Sequence, residues 1–329
     1  MGSGGVVDGR SEVIGREVVL EVARAYYLQD RSKTEIARST GLSRWQVARL
    51  LAEARADGTV QIRVGDPAGE RTALAGDLTA ALGRYGVRDT LVVAATESAD
   101  EEPAVDAVTG ALATLLTSLV DEGAAVGLAW SRVIERLPRR LERLAPCQVV
   151  QLAGALSFPG DRLGSVEVTR EVARRAGGTA FPFYAPLFVD APAAAAALRE
   201  QPEVARCLER VEHLDVAVVS VGHWSEHGSA VHPLVPAGLS RRTADAGAVG
   251  EISGRLLDAG GGAVRPGLDQ HVVGITLDGL RRVPVRIATS HGRYRARATL
   301  AAVRAGLVSH LVVDQSQAEA LLATLAAPV

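Results

Sequence analysis

Apolar residues near the N-terminus recur at helical spacing, and beyond them they gather into short extended runs. From Arg16, residues Val18, Val19, Val22, Ala25, Tyr26 and Leu28 fall close to one helical face and predict a first amphipathic helix. Ser32-Lys33-Thr34-Glu35 then forms a capping box, in which Ser32 caps a short second helix and Glu35 reaches back. Thr40-Gly41-Leu42 is a turn, because Gly41 can take the positive φ that ends a helix at little cost. Ser43 and Gln46 form a second box, and a third helix runs to about Ala56 with Val47, Leu50, Leu51 and Ala54 facing inward. Gly58 ends it, and Thr59–Val64 alternates like a short strand, the pattern of a wing.

From about Gly65 the pattern changes. Apolar strand-length runs are predicted over 90–94, 125–129, 148–152, 216–221, 272–275, 285–289 and 310–313. Helical stretches are predicted over 105–120, 131–144, 164–176, 242–257, 294–305 and 315–325. Short apolar strands alternating with helices imply a parallel sheet covered on both faces. The expected fold class is therefore α/β: an all-α winged helix-turn-helix over 16–64, then a Rossmann-like α/β domain over 65–329. Residues 1–15 are expected to be a disordered tail.

Composition agrees with two ordinary globular domains. The 329 residues are 47% hydrophobic and 22% charged, and with aromatics at only 4% the core must be mostly Ala, Val and Leu. No apolar run reaches the length of a membrane span, and the acidic, Gly-rich start does not read as a signal peptide, so a cytoplasmic chain without a membrane partner is expected. Cys147 and Cys207 stand apart in apolar surroundings and read as buried thiols, with no cofactor or metal motif around them. Net charge is −2, but its distribution is uneven. Between Arg31 and Arg63 the cations Arg31, Lys33, Arg38, Arg44, Arg49, Arg55 and Arg63 clearly outnumber Glu35, Glu53 and Asp57. A small basic module on an acidic body is the distribution expected when only one end meets DNA.

In a helix-turn-helix, the start of the second helix of the motif meets base edges in the major groove. Those residues here are Ser43, Arg44, Trp45 and Gln46. Arg44 suits a guanine and Gln46 an adenine, and Arg49 follows one turn on. Lys33 and Thr34, at the preceding helix start, suit the phosphate backbone. A purely structural three-helix unit would leave the exposed Trp45 without explanation.

Open parallel sheets bind ligands beyond the carboxyl ends of their strands. Small residues, hydroxyls and cations follow several predicted strands: Gly127, Ala129, Trp130 and Ser131; Gln151, Gly154 and Ala155; Gly222 and His223; His291, Gly292, Arg293 and Arg295; and Asp314. Such ends, with helix starts beside them, suit a small anionic metabolite.

The chain resembles the SorC family of sugar-binding transcriptional regulators. The segments that carry the resemblance are ARAYYLQDRSKTEIARSTGLSRWQVARLLAEARADGTVQI, VGLAW, VVQLAG, GAVGEISGRLLDAGG and RATLAAVRAGLVSHLVVDQSQAEALL. The resemblance implies a DNA-binding head, operator DNA as a partner, a sugar or phosphosugar effector, a sugar-phosphate-isomerase-like effector domain, and a homodimer or homotetramer. Two departures mark this chain. Ser131 follows Trp130 where relatives usually carry glycine, and His291-Gly292-Arg293-Tyr294-Arg295 replaces a Gly-Gly-x-x-Lys pattern. Lys33 is the single lysine, so the effector domain cannot hold an aldehyde as a lysine imine.

Several readings stay open on the residues alone. Arg293 and Arg295 sit near a helix start, the unfavourable end for cations, and need an anionic partner, either effector or carboxylate. His291 is a ligand contact or a loop residue, and Trp130 either touches the ligand or packs beneath it. Asp314 either accepts sugar hydroxyls or caps the next helix. His223, His227 and His232 have metal-like spacing without a completing ligand. A DNA-binding protein that takes no ligand is one alternative, and a sugar-phosphate isomerase or deaminase is the rival class. It would need an acid/base pair at strand ends, and Asp314, Glu167 and Asp190 are candidates without a recognisable motif.

Overall fold

The computed structural model describes residues 16–60, 67–94, 101–156, 162–265 and 267–326, and the chain divides into two compact units, Met1–Asp66 and Pro67–Val329. The expected tail, and Gln61–Val64 of the expected wing, lie outside the described residues.

The first unit holds α1 (Arg16–Tyr27), α2 (Lys33–Thr40) and α3 (Arg44–Ala56). Both capping boxes form. Ser32 Oγ accepts from the Glu35 N–H and Ser43 Oγ from the Gln46 N–H, while each partner's side chain accepts the cap's own N–H. Gly41 takes φ 74° between the two helices. Val22, Ile36, Val47, Leu50 and Leu51 close a small core, each buried side chain contributing about 1.5–3 kcal/mol. Leu28 falls just past the end of α1 and is exposed rather than part of that face.

The second unit runs α4 (Pro67–Leu82), β1 (Asp89–Val93), α5 (Glu102–Leu119), β2 (Ala125–Leu128), α6 (Arg132–Arg140), β3 (Gln148–Gln151), α7 (Ser165–Ala176) and β4 (Thr179–Phe181). After α8 (Pro192–Glu200) and α9 (Pro202–Arg210) come β5 (Val216–Ser220) and β6 (Gly222–His223). Then follow α10 (Ala237–Asp245), β7 (Ala248–Ile252), β8 (Arg255–Asp258), α11 (Leu277–Arg282), β9 (Val285–Thr289), α12 (Ala296–Arg304), β10 (His310–Asp314) and α13 (Gln315–Ala326).

Seven of these strands pair in parallel in the order β1-β10-β9-β5-β2-β3-β4. Successive residues of β5 and β10 are buried without alternation, so both faces of the sheet centre are covered. The chain builds β2, β3 and β4 outward in one direction. It then returns to the other side of β2 with β5 and continues through β9 and β10. The order therefore switches between β2 and β5, where a parallel sheet opens a crevice at its carboxyl end.

Three predicted elements are corrected. The stretch over 242–257 is not one helix. Gly247 takes φ 90° and Ser253-Gly254 take φ 51° and 81°, so α10 stops at Asp245 and β7 and β8 form a hairpin. Two central residues with positive φ make the turn type that suits a two-residue hairpin. Val272–Ile275 is extended but makes only isolated bridges, Phe188 to Val272 and Ala153 to Gly274. The buried Arg255 guanidinium donates to the Gly274 and Ile275 carbonyls, at 3.0 Å each, and so takes acceptors a neighbouring strand would use. The helix predicted over 131–144 ends at Arg140, soon after Pro138, which lacks an N–H. Edge strand β4 and helices α4, α8, α9 and α11 were not anticipated.

Candidate functional site

In the first unit, Arg44 and Thr34 are exposed at the starts of α3 and α2, and Trp45 is 69% exposed. An indole exposed at a helix start presents an apolar face and one N–H donor to water. The Arg49 guanidinium lies 5.8 Å from the Trp45 ring centroid and pairs with Glu53 at 2.8 Å. Lys33 Nζ lies 5.6 Å from the Tyr26 ring. Gln46 is more constrained than expected: its Oε1 accepts the Ser43 N–H at 2.8 Å, so bidentate reading of adenine requires that box to open.

In the second unit, a cleft of about 910 Å³ lies at the switch between β2 and β5. The ends of three adjacent strands supply its floor. Ser131 follows β2 and caps α6 by accepting the Ile134 N–H at 3.1 Å. Ser220 ends β5 and hydrogen bonds Ser131 Oγ at 2.7 Å and Thr289 Oγ1, at the end of β9, at 2.6 Å. A row of hydroxyls thus crosses β2, β5 and β9.

One wall is charged. Glu101, just before α5, pairs with Arg132 at the start of α6, and its other oxygen accepts from Tyr294 Oη at 2.6 Å and from Arg295 at 3.2 Å. Burial opposes ionisation of Glu101, but the Tyr294 hydroxyl and the Arg295 and Arg132 guanidinium groups outweigh it and hold the carboxyl at about 2. Arg295 is buried and also donates to the His291 carbonyl at 2.7 Å and lies 3.1 Å from its Nδ1. Burial, with the nearby Arg295 charge, pushes His291 down to about 4, so it is neutral at physiological pH. Tyr294 is raised to about 12 by burial and by its bond to Glu101.

The small antiparallel sheet β6-β7-β8 also contributes to the lining, through Gly222 and Glu251. Glu251 of β7 is buried; its oxygens accept from the Gly254 N–H at 2.5 Å and the Ser229 hydroxyl at 3.0 Å. Burial pushes this carboxyl up against those two bonds, which favours its protonated, neutral form. Gly222 faces it so closely that a Cβ would sit 3.0 Å from its Oε2.

Of the strand-end residues singled out, the cleft brings together Trp130, Ser131, Gly222, His291 and Arg295. The others serve differently. Gly127 lies within β2, where a Cβ would meet the Leu152 and Leu214 side chains, so it is a packing glycine. Gln151 cannot orient a ligand: it is buried, its amide bridging the Ala153 carbonyl at 2.8 Å and the Phe183 N–H at 3.2 Å. Ala129 and Gly154 line a separate void of about 30 Å³, and a Cβ on Gly154 would strike the Pro186 backbone. Ala155 bridges to Pro186. His223 places Nδ1 3.2 Å from the Val249 carbonyl, and Arg293 is exposed away from the cleft lining. Asp314 caps α13 by accepting the Gln317 N–H and holds the positive-φ Gly292 N–H, both at 2.8 Å. It is a brace for the His291–Arg295 loop, not a sugar contact.

Trp130 meets both readings: it lines the cleft, and its Nε1 donates to the Leu163 carbonyl at 2.8 Å. Sequence reasoning missed Glu101, Glu251, Ser220 and Thr289. Glu251 had a usable signal, since Gly250 and Gly254 beside it suit a hairpin better than a helix. Glu101 had none.

Among the described residues no group of three or more His, Cys, Asp or Glu could hold a metal ion. His232 Nε2 is engaged with Ser240 Oγ at 2.8 Å. Among the same residues no helix is long and apolar enough to cross a membrane.

Residues 76–323 match the sugar-binding domain family (Sugar-bind). The chain is 27% identical to the transcriptional regulator YjhU of Escherichia coli (strain K12), covering 95% of this chain and 96% of that one. It is 26% identical to the deoxyribonucleoside regulator of Bacillus subtilis (strain 168), over 93% of this chain and 97% of that one. The crystal structure of the full-length sorbitol operon regulator SorC from Klebsiella pneumoniae superposes with a TM-score of 0.69 at 23% identity, covering 93% of this chain and 98% of that one. A domain of a sugar-binding transcriptional regulator from Arthrobacter aurescens TC1 gives 0.67 at 24% identity, over 75% and 97%.

Proposed function

Since this chain belongs to the SorC family of sugar-binding transcriptional regulators, we propose that the switch-point cleft is where its small-molecule effector binds and that α3 reads operator DNA. It is a ligand-responsive transcription regulator and not an enzyme, as its relatives are. The observation that carries the site is the cleft itself. Two guanidinium groups, from Arg132 and Arg295, line it beside a hydroxyl floor, together with the buried acid Glu251. That arrangement suits a sugar or phosphosugar: the anionic end toward the arginines, and hydroxyls over Ser131, Ser220 and Glu251. His291 and Trp130 narrow the space and select by size.

The protein works in the cytoplasm as a homodimer or homotetramer, since a half-site reader gains specificity from paired heads. The effector alters DNA binding only in so far as it prefers one arrangement of heads over another. Thermal-shift screening of the full chain against sugar phosphates, free sugars and unrelated metabolites tests the reading. A stabilising sugar or sugar phosphate whose effect is lost on substituting Arg295 supports it. Stabilisation by such a ligand that survives both Arg295→Ala and a cleft-filling Gly222→Leu overturns the site.

A further inference from the structure

The anion-receiving wall of the cleft already carries an anion, and it belongs to the chain. Glu101 gathers donors from three directions: Arg132 from the start of α6, Arg295 from the start of α12, and the Tyr294 hydroxyl. Two acids of α5 also meet α6, Glu102 with Arg136 and Asp106 with Arg140. Those two pairs form lower rungs between the helices. Only the top rung lines the cleft and adds the buried Arg295 and the exposed Tyr294. Glu101 therefore does more than tie α5 to α6; it occupies the donors an incoming anion needs.

The charge balance gives this a consequence. A third arginine of the lining, Arg162, pairs with Glu135, so at Glu101 two guanidinium groups face one carboxylate and the seat retains an excess of one positive charge. A monoanion that displaces Glu101 exchanges one carboxylate-like charge for another and gains little. A dianion satisfies both guanidinium groups, and its extra oxygens match the three donors. Resting on the reading that the effector binds in this cleft, we propose that Glu101 is a resident competitor whose displacement makes the site selective for a dianionic group, as in a phosphate monoester, over monoanions such as sugar acids.

Sulfate and methyl sulfate test this well, since they share a tetrahedral shape and differ in charge. Each is titrated calorimetrically into the full chain at constant ionic strength. The native chain should take up sulfate weakly and methyl sulfate not measurably. Glu101→Gln keeps the shape and removes the charge; it should bind sulfate about tenfold more tightly and acquire methyl sulfate binding. Glu101→Asp, which withdraws the carboxylate by one methylene, should fall between the two and serves if the glutamine variant does not fold. Sulfate binding no tighter in either variant than in the native chain overturns the proposal, as does its absence from all three. Arg132→Ala separates the two layers of the argument. If it abolishes sulfate binding while Glu101→Gln leaves it unchanged, the cleft stands and the competitor role falls. If sulfate binds equally well without Arg132, the anion sits elsewhere and the cleft reading falls with it.

Discussion

In the head, Arg44 and Trp45 stand in water at the start of α3, and the charge of Lys33 rests beside the Tyr26 ring. In the cleft, Arg295 is buried, and Glu101 already holds both it and the half-exposed Arg132. The same residue type is thus deployed in opposite ways. An exposed cation loses little water on meeting phosphate, and its contribution is screened by salt and roughly additive. A buried, paired cation gives up one partner to gain another, so its contribution depends on the difference between two anions. The head should therefore tolerate single losses gradually, whereas the cleft should respond to them abruptly.

Arg295→Ala is the sharpest way to break that contrast. It removes the buried cation and should raise the effector concentration at half response by a hundredfold or more, roughly 3 kcal/mol, with operator affinity in the absence of effector unchanged. Operator binding titrated with effector reads both quantities. An unchanged midpoint would remove Arg295 from the site and the contrast with it.

The next largest effect comes from pH. His291 ordinarily titrates near 6.5 but is held at about 4 by burial and by Arg295. Between those values the unfolded chain binds a proton that the folded chain refuses. The stability is therefore complete above about pH 6.5 and is lost as pH falls toward 4, by up to a few kcal/mol on the scale of about 1.4 kcal/mol per unit. Denaturant unfolding of the full chain across this range should show the loss, and His291→Gln should flatten it. An equally steep profile in the variant would mean that other groups carry the acid sensitivity.

Arg44→Ala should cost about 1–3 kcal/mol of operator affinity and relax base preference at one position, read by binding to a panel of single-base operator variants. Lys33→Ala should do least: affinity falls equally for every sequence, and the salt slope drops by about one. If Lys33→Ala changed base preference, or Arg44→Ala changed only the salt slope, the division of labour within the head would be reversed.

How far the sequence foretold all this follows the distance between interacting partners. Ser32 with Glu35, Ser43 with Gln46, and the turn glycine Gly41 are local devices, and each was visible as a spacing. The parallel sheet was visible too, because its central strands are continuous apolar runs. The hairpin of β7 and β8 was misread because apolar residues between glycines can fit a helical period when the positive φ of Ser253 and Gly254 is not foreseen. Gln151 and Asp314 looked like polar groups waiting at strand ends, yet each is spent on backbone that arrives from far along the chain. The contact that organises the charged wall joins Glu101 to Arg295 across 194 positions, and no periodicity spans that interval.

The hydroxyl row on the cleft floor has one more property. Ser220 Oγ sits between Ser131 Oγ and Thr289 Oγ1, and each hydroxyl owns a single proton. Ser220 gives its proton to Ser131, so its short contact with Thr289 is made with the Thr289 proton. Ser131 Oγ also accepts the Ile134 N–H at 3.1 Å, which fills both of its lone pairs and leaves only its proton to offer the cleft. A visitor that accepts at that point extends the row without disturbing it. One that donates there must first reverse hydroxyls on β2, β5 and β9. The floor is thus polarised across three strands, and it favours an oxygen that takes a proton over one that gives it.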